Sequence, residues 1–291
     1  MQARCSSGPI NDLPGNIEDS VLFADDTTLN VFEPCVMGLQ TSANRTFKKA
    51  NDWFKANGLK LNTGKTQLVQ FGTKRVTCEV KINDAEEITN CQSAKFLGVV
   101  IDQNLNWKAH VKHLQSKLSS ASYALRVIST STSQHVVLTA YYAYIYPHLR
   151  YGVVFWGNSA HSAKIFKLQK TCIRIICNLP FRAPCKSYFK DMGILTLPSL
   201  YMYEVLRMCR RGLSGADKYE GGYLLRNAPL RYPAHRLTLL ERGPRYSGLR
   251  LYNALPRHVR DEVSDVKFAK LLKDILINGA FYTVNEFLTG H

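Results

Sequence analysis

The sequence lacks several features that would assign it to common classes of protein. No run of 18 apolar residues occurs in the chain, so a membrane-spanning helix is not expected. The N-terminus has neither the basic region nor the apolar stretch of a secretory signal, so an intracellular location, nuclear or cytoplasmic, is expected. None of the eight cysteines forms a CxxC pair, which argues against a structural zinc site and favours free thiols.

Acidic residues are scarce in one part of the chain only. Residues 1–110 contain 12 basic and 12 acidic residues, whereas residues 111–291 contain 26 basic and 10 acidic ones, so the whole net charge of +16 lies in the second part. A neutral segment followed by a strongly basic one suggests chemistry in the first and contact with a polyanion in the second. A basic surface that only confers solubility is the alternative.

Hydropathy patterns predict a small β-sheet with one covering helix in the first part. Two apolar arms, Val21–Phe23 and Thr27–Val31, flank a pair of aspartates and predict a β-hairpin with both aspartates at its tip. A helix is predicted from Val36 to Phe54, because apolar residues recur there every three or four positions. Further strands are predicted at Gln67–Phe71, Cys78–Ile82 and Phe96–Ile101.

The second part is predicted to be helical from about Lys108 onward. Apolar stripes and proline positions predict helices at 111–128, at 165–175, from Pro198 to Arg210 and, as a last short helix, at 268–275. Another helix is predicted to begin after the cap candidates Ser129–Ser133 and to be kinked or ended by Pro147. Residues 212–262 are rich in Gly, Pro and Arg and are expected to be partly irregular. The predicted fold class is therefore α+β, with a small antiparallel sheet followed by an all-α region.

The adjacent aspartates Asp25 and Asp26 are the first candidates for chemistry. Like charges repel at close range unless a cation lies beside them. Mg²⁺ is a hard cation that takes carboxylate oxygens together with waters and phosphates. Two such ions can hold the attacking and leaving oxygens of an in-line phosphoryl transfer. A purely structural turn is the alternative, because aspartate often caps its own backbone in turns.

The residues around these aspartates resemble a known family. Ser20-Val-Leu-Phe-Ala-Asp-Asp-Thr-Thr-Leu29 is similar to the third palm motif of reverse transcriptases from LINE-type, jockey-like retrotransposons. Other segments resemble that family in its own order, from residue 10 to the end of the chain. They are Ile10-Asn-Asp-Leu-Pro14, Asn57-Gly-Leu-Lys-Leu-Asn62 with Lys65-Thr66 (the fourth palm motif), Lys95-Phe-Leu-Gly-Val-Val-Ile-Asp102 (the primer-grip region), Tyr146-Pro147, Trp156-Gly157, Met192-Gly-Ile-Leu195 and Asn253-Ala-Leu-Pro256.

The resemblance implies an RNA-directed DNA polymerase organised in three parts. Residues 1–107 would form a partial palm with the primer-grip strands, residues 108–211 a helical thumb and connection region, and residues 212–291 a C-terminal region with a short terminal helix. Its partners would be an RNA template, a DNA primer and deoxynucleoside triphosphates. The family's fingers and first palm motif, with a third metal-binding aspartate, are expected upstream of residue 10. The 291 residues are therefore expected to be inactive alone.

The resemblance also implies roles for individual residues. Asp25 matches the main metal-binding aspartate and Asp26 its partner, for the two Mg²⁺ ions of the intact enzyme. Lys65 matches a lysine that could protonate the departing pyrophosphate or bind its phosphates; a solvated lysine after a turn is the alternative. The residues implied to hold the 3′ end of the primer are Phe96, Leu97 and Gly98, for which an ordinary core strand is the alternative.

Two groups of basic residues at helical spacing are the candidate contacts to nucleic acid in the second part. They are Lys164, Lys167 and Lys170, and Arg207, Arg210 and Arg211. A solvated helix face explains each group alone, but not why the first part lacks any such excess of charge. Two other functions stay open at this point. One is a non-catalytic remnant that binds RNA or an RNA–DNA hybrid, and the other is a decayed element copy without a selected function.

Overall fold

The computed structural model describes Ile17 and residues 19–24, 26–72, 79–83, 86–88, 90–214, 230, 232, 238–241 and 243–290. The chain divides into two compact units, Met1–Leu105 and Asn106–His291. Small antiparallel sheets and one long helix form the first unit, and the described residues of the second are helical, which is compatible with the predicted α+β class. Within the described residues, no helix is long and apolar enough to cross a membrane.

The first unit begins with an antiparallel hairpin. Strand β1 (Ser20–Phe23) pairs with β2 (Asp26–Leu29), and Phe23 faces Asp26 at the end of the ladder. The predicted hairpin is confirmed, but its second arm lies closer to the turn than the predicted Thr27–Val31. Because Asp26 already pairs with the first arm, only two residues remain for the turn, which is the commonest length in hairpins.

Helix α1 (Val36–Ala56) confirms the helix predicted from its apolar stripe. The Sγ atom of Cys35 accepts a hydrogen bond from the N–H of Gly38 (3.4 Å) and caps the first turn. The helix ends at Asn57, and Gly58 follows with a φ of +68°, a conformation that glycine adopts without strain. Two small buried clusters form on the stripe: Ala50 and Phe54 with Ile17 and Leu59, and Ala43 and Phe47 with Val80 and Ile88.

The remaining strands differ from the single small sheet that the sequence predicts. Strand β3 (Val80–Asn83) pairs with β4 (Glu86–Ile88), and β5 (Ser93–Phe96) pairs with β6 (Val99–Asp102), both antiparallel. Within the described residues these pairs and the first hairpin are three separate sheets. Of the predicted strand Gln67–Phe71, only an isolated parallel bridge from Leu68 to Asn90 forms.

The predicted strand Phe96–Ile101 is in fact a turn followed by a strand. Leu97 and Gly98 have φ values of +44° and +82° and reverse the chain between β5 and β6. The continuous apolar run concealed this turn, because its pattern does not show that two residues adopt the left-handed conformation. The predicted strand Cys78–Ile82 corresponds to β3, and residue 78 lies outside the described residues.

The second unit consists of helices packed around α8. Its helices are α2 (Lys108–Ser129), α3 (Gln134–Tyr144), α4 (Tyr146–Arg150), α5 (Val153–Trp156), α6 (Ser162–Ile176), α7 (Lys186–Asp191), α8 (Leu197–Ser214), α9 (Thr238–Glu241), α10 (Pro244–Asn253), α11 (Arg257–Arg260), α12 (Asp265–Gly279) and α13 (Val284–Thr289). Helix α2 packs along α6, while α4, α5, α6, α10, α12 and α13 all contact α8. One core cluster spans the unit, with Trp156, Tyr201 and Phe268 fully buried.

The helical predictions are confirmed with one difference at the C-terminus. Pro147 lies at the start of α4, directly after α3 ends, and Pro198 lies in the first turn of α8. Helix α12 was predicted as a last short helix, but it has 15 residues, because the Ser264 hydroxyl caps it four residues before the apolar stripe begins, and α13 follows. Of the region predicted to be partly irregular, residues 215–229, 231, 233–237 and 242 lie outside the described residues.

A buried polar side chain connects α3, α6 and the start of α8. The amide nitrogen of Gln169 donates to the Tyr141 hydroxyl (3.0 Å) and to the Leu195 carbonyl (2.9 Å). Its amide oxygen accepts from the N–H of Leu197 (2.7 Å). Buried polar groups stabilise a core only when they are paired in this way, so Gln169 fixes the relative positions of three helices.

The C-terminal segment returns to the middle of the unit. The Thr196 hydroxyl donates to the Phe281 carbonyl (2.5 Å), and Lys186 Nζ forms an ion pair with Glu286 Oε1 (2.5 Å). The Glu286 carboxylate also accepts from the N–H of Tyr282 (2.7 Å), and Phe287 is fully buried. The last described helix is therefore part of the core.

Candidate functional site

The first hairpin carries the predicted metal-binding aspartates. Ala24, the first residue of its turn, has a φ of +52°, and Asp26 is half-buried at the start of β2. Asp25 lies outside the described residues. Among the residues that the structure describes, none forms an ion pair with Asp26. Its carboxylate oxygens are of the type that Mg²⁺ prefers as ligands.

Lys65 lies at the end of a short 3₁₀ helix, Thr63–Lys65, with its side chain exposed. The carbonyl of Asn62 accepts from the N–H groups of Lys65 and Thr66, both at 3.1 Å, and from the Thr66 hydroxyl at 2.9 Å. Lys65 and Asp26 form no ion pair with each other. The turn therefore fixes the backbone of Lys65, and the residue as a whole is exposed.

The three predicted primer-grip residues lie together at the β5–β6 turn. Phe96 pairs with Val99 at the end of the ladder, and Leu97 and Gly98 occupy the two turn positions with positive φ. A turn of this kind suits the twist of a hairpin, and glycine adopts it without strain. Leucine does not, because a left-handed backbone costs about 1 kcal/mol for a residue with a Cβ. Strain of this kind is concentrated at functional sites.

The three lysines of α6 differ in their surroundings. Lys164 and Lys167 are exposed. Lys170 lies over the rings of Phe166 and Tyr282, with its Nζ atom 4.8 Å and 5.3 Å from the two ring centroids. These cation–π contacts hold the Lys170 amine against the fold. Lys164 and Lys167 are thus the more accessible lysines for a phosphate.

The three arginines of α8 also differ. Arg210 Nε donates to Asp265 Oδ1 (2.7 Å), and its Nη2 donates to the carbonyls of Glu262 (2.5 Å) and Val263 (2.9 Å). Its guanidinium also lies 4.6 Å from the centroid of the Phe268 ring. These contacts connect α8 to the start of α12, which is a structural role. Arg211 is exposed, and Arg207 lies 5.4 Å from the centroid of the Tyr203 ring.

The sequence analysis missed a group of tyrosines and arginines on α3, α4 and α8. This group, called the tyrosine–arginine face below, consists of Tyr142, Tyr146, Arg150, Tyr151, Tyr203 and Arg207. The ring centroids of Tyr142 and Tyr146 are 5.4 Å apart, and Arg150 Nε donates to Glu204 Oε1 at 2.7 Å. Burial raises the pKa of Tyr142 and of Tyr146. The sequence contains a signal for this group. Tyr142 and Tyr146 are four residues apart, as are Tyr203 and Arg207, and residues at this spacing lie on the same face of a helix.

Comparison with known proteins finds relatives among transposable-element polymerases. The chain is 23% identical over 180 residues to a probable RNA-directed DNA polymerase from transposon X-element of Drosophila melanogaster. It is 22% identical over 186 residues to the RNA-directed DNA polymerase from mobile element jockey of the same species, and 23% identical over 180 residues to that of Drosophila funebris. These alignments cover 59–61% of the chain and 20% of each relative. No family model and no solved structure matches the chain.

These relatives agree with the motifs read from the sequence. The chain aligns with about a fifth of the length of the curated relatives it matches. The predicted resemblance is confirmed, because all three relatives are RNA-directed DNA polymerases of transposable elements and two of them are from mobile element jockey. By the order of its motifs and by its relatives, the chain is similar to the RNA-directed DNA polymerases, or reverse transcriptases, of jockey-like retrotransposons.

Proposed function

We propose that the chain supplies the part of a retrotransposon RNA-directed DNA polymerase that extends from the third palm motif onward. The observation that carries this proposal is the hairpin that presents Asp26 beside its turn, in a chain similar to jockey-like polymerases. In the complete enzyme the 3′ hydroxyl of a DNA primer attacks the α-phosphorus of a deoxynucleoside triphosphate. The bond to the β-phosphate breaks, and pyrophosphate leaves. RNA is the proposed template.

The hairpin suits a divalent cation in this reaction. Asp26 offers hard oxygen ligands, and no described basic residue neutralises it. Asp25 and Asp26 would hold two Mg²⁺ ions, which supply charge stabilisation at the attacking and leaving oxygens. Lys65, with its exposed amine, would contact the phosphates of the departing pyrophosphate. Phe96, Leu97 and Gly98 would position the 3′ end of the primer at the β5–β6 turn.

Binding of Mn²⁺, followed by electron paramagnetic resonance, tests the metal assignment directly. The 291-residue chain is mixed with a primed RNA template, whose primer ends in a dideoxynucleotide, and with the next nucleotide. In characterised metal sites, loss of a residue that only hydrogen-bonds to a metal ligand lowers metal affinity about 10–100-fold. Asp26 is proposed as a ligand itself, so Asp26→Asn is expected to lower Mn²⁺ affinity at least about tenfold. Asp19→Asn, at the base of the same hairpin, is the matched control and should bind as the wild type does. Equal affinities for all three chains would refute the assignment.

Primer extension tests the proposal that these residues are one part of the active site. We expect the 291 residues alone to extend no primer with Mg²⁺ or Mn²⁺. Two adjacent carboxylates leave two ions poorly positioned, and this type of catalysis depends mainly on positioning and charge stabilisation. A complete jockey-like polymerase serves as the positive control. Templated extension by the 291-residue chain that disappears in Asp25→Asn would show that the pair suffices.

A second candidate function is favoured by the distribution of charge. All of the excess positive charge lies in residues 111–291, outside the first unit, which contains the hairpin. A chain that binds RNA or an RNA–DNA hybrid without catalysis would also carry such an excess. The Mn²⁺ measurement separates the two functions, because a non-catalytic nucleic-acid-binding protein has no need to bind Mn²⁺ through Asp26.

A further inference from the structure

The tyrosine–arginine face has no part in the proposed polymerase reaction, yet it is built on three helices of the second unit, α3, α4 and α8. Tyr142 and Tyr146 lie where α3 gives way to α4, and their side chains are held at an angle of 61° to each other. Tyr151 follows α4, and its carbonyl accepts a hydrogen bond from Nε1 of the fully buried Trp156 (3.0 Å). The face is therefore held rigidly by the core beneath it.

Its rings are accessible at the surface. Tyr142 is 41% exposed and Tyr151 55% exposed. A surface depression of about 440 Å³ lies beside them, lined by Tyr146, Pro147, Arg150, Tyr151 and Gly152. A depression of this size is within the range of small-ligand sites. Glycine at position 152 has a φ of +61°, so the chain turns sharply there and presents Tyr151 at the rim.

Cationic groups are interleaved with these rings. Arg207 lies over the ring of Tyr203 on α8, and the exposed Arg211 follows one turn later. Arg150 forms an ion pair with Glu204, so part of its charge is neutralised within the face. The surrounding sequence is strongly basic, because residues 111–291 carry the whole excess of +16. This charge favours a polyanion over a neutral or basic protein as the occupant of the face.

We propose that the tyrosine–arginine face binds unpaired bases of a single-stranded nucleic acid, with its tyrosine rings stacking on bases and Arg207 contacting phosphate. Aromatic rings in a basic groove bind single strands of any sequence, because every base has a flat face. A duplex offers no such face along its length, since its bases are already stacked. This inference rests on the proposed function and deepens it. It assigns a second binding site, separate from that of the primer–template duplex, to the nucleic-acid strand that is unpaired.

The test compares strands that have the same charge and differ in their bases. Fluorescence anisotropy measures binding of the 291-residue chain to single-stranded RNA, to single-stranded DNA, to a DNA strand without bases, and to an RNA–DNA duplex. The double variant Tyr142→Leu/Tyr151→Leu is expected to lower affinity for RNA and DNA single strands at least about fivefold per stacked base. Its affinity for the baseless strand should be unchanged. Similar losses on RNA and DNA indicate bases in general; a loss on RNA alone indicates an RNA-selective face.

Three further variants complete the design. Tyr142→Phe/Tyr151→Phe keeps the rings and should retain wild-type affinity. Tyr144→Leu removes a more exposed ring (60%) that lies two residues from Tyr142, on the other side of the helix, and should have no effect. Arg207→Gln should reduce the slope of log affinity against log salt by about 0.7 for single strands, whereas the tyrosine variants should leave that slope unchanged.

Several results would overturn the inference. Wild-type affinity of the leucine variant for single strands is one, and an equal loss on the baseless strand is another. If circular dichroism shows that the leucine variant is unfolded, binding by the wild type is the test. Equal affinities of the wild type for strands with and without bases would refute stacking. Binding through phosphates with no tyrosine effect refutes this inference and leaves the proposed function intact. Equal Mn²⁺ affinities of the wild type, Asp26→Asn and Asp19→Asn, together with the expected effect of the tyrosine variants, would refute the metal assignment alone.

Discussion

Gly157 shows how closely the helical unit is packed at the scale of single residues. A Cβ atom there would lie 2.6 Å from the Val153 carbonyl oxygen and 2.9 Å from Cδ2 of Tyr201. Val153 and Tyr201 both belong to the core cluster of the second unit and cannot move without disturbing it. Gly157→Ala is therefore expected to lower the free energy of unfolding by about 1–3 kcal/mol, the usual cost of overpacking. Urea denaturation followed by circular dichroism measures the change.

Gly212→Ala is the matched control for this prediction. Gly212 lies in α8, and a Cβ atom added to it would meet nothing within 4 Å. Alanine favours a helix over glycine by up to about 1 kcal/mol, so this variant should be as stable as the wild type or slightly more stable. A similar loss in both variants would mean that packing at Gly157 is not the cause.

His110 is expected to make the stability of the helical unit depend on pH. Its pKa is lowered to about 4, mainly by burial and to a smaller extent by the neighbouring His113 and Lys117. The folded pKa is thus below the value of 6.5 for an unperturbed histidine, so the folded state binds fewer protons between these values. Stability contributed by neutral His110 is present above pH 6.5 and is lost as pH falls toward 4.

Replacing His110 by phenylalanine checks this assignment. The His110 ring lies 5.7 Å from the Trp156 ring, so phenylalanine keeps a ring in that position. Thermal unfolding between about pH 4.5 and 7.5 should show a flatter dependence in His110→Phe than in the wild type. His148 also has a pKa lowered by burial, so part of the dependence should remain. Identical slopes in the two chains would assign the effect to groups other than His110.

At the scale of elements, we expect the turn of the β5–β6 hairpin to lower the stability of the first unit while it contributes to primer binding. Leu97 adopts a positive φ that asparagine tolerates better. Leu97→Asn should therefore raise the stability of the first unit by up to about 1 kcal/mol. If the turn holds the primer, the same variant should weaken binding of a primed template, because the leucine side chain is lost. Gly98→Ala, which adds a Cβ at a φ of +82°, should instead destabilise the hairpin.

The two measurements on Leu97→Asn separate two explanations of its strain. Chemical denaturation gives stability, and anisotropy with a primed template gives binding. A more stable chain that binds the primed template less well supports the primer grip. A more stable chain with unchanged binding indicates that Leu97 is merely a strained residue in an ordinary turn.

Sequence reasoning located the helices well and the strands poorly, for a physical reason. A helix longer than three turns repeats its apolar spacing several times, so α1, α2 and α6 were evident from the pattern. Each strand of the first unit has only three or four residues, which is too few for such a pattern to register. The turn at Leu97 was hidden because conformation, rather than polarity, defines it.

The roles of the candidate site residues stay predictions. The predicted grip residues are consecutive in the sequence, and the structure shows that they form the β5–β6 turn. The basic groups were read from spacing alone, which cannot show that Arg210 is engaged with Asp265, 55 positions away. The tyrosine–arginine face combines α3, α4 and α8, and only the folded chain brings those elements together.

For the molecule as a whole, nucleic-acid affinity is expected to fall steeply with salt. Each phosphate contacted by a lysine or arginine contributes about 0.7–0.9 to the slope of log affinity against log salt concentration. Lys164→Gln/Lys167→Gln should reduce this slope, because both amines are exposed. Arg210→Gln is the contrasting variant, since it should lower stability through loss of the contacts to α12 and change the slope little. Titrations of the wild type and of each variant with RNA and with an RNA–DNA hybrid measure these slopes. An affinity that does not depend on salt would show that binding is not electrostatic.

The second unit is expected to fold as a separate chain. Among the residues that the structure describes, its core cluster is drawn from residues 107–288, so a chain of residues 106–291 retains that cluster. We expect its thermal midpoint to lie within about 4 °C of the corresponding transition of the full chain, a difference of about 1 kcal/mol at this size. A chain without a cooperative transition would show that the core needs residues from the first unit.

The return of the C-terminal segment to α7 and α8 has a consequence for synthesis on the ribosome. Lys186 and Thr196 are translated well before their partners Glu286 and Phe281, which follow them by 100 and 85 residues. Until Phe281 to Phe287 have been translated, the nascent chain exposes the apolar site that Phe287 fills, and chaperones can bind this site. A premature stop codon shortly before Phe281 would therefore damage the whole helical unit, because it removes the partners of Lys186 and Thr196 together with Phe287.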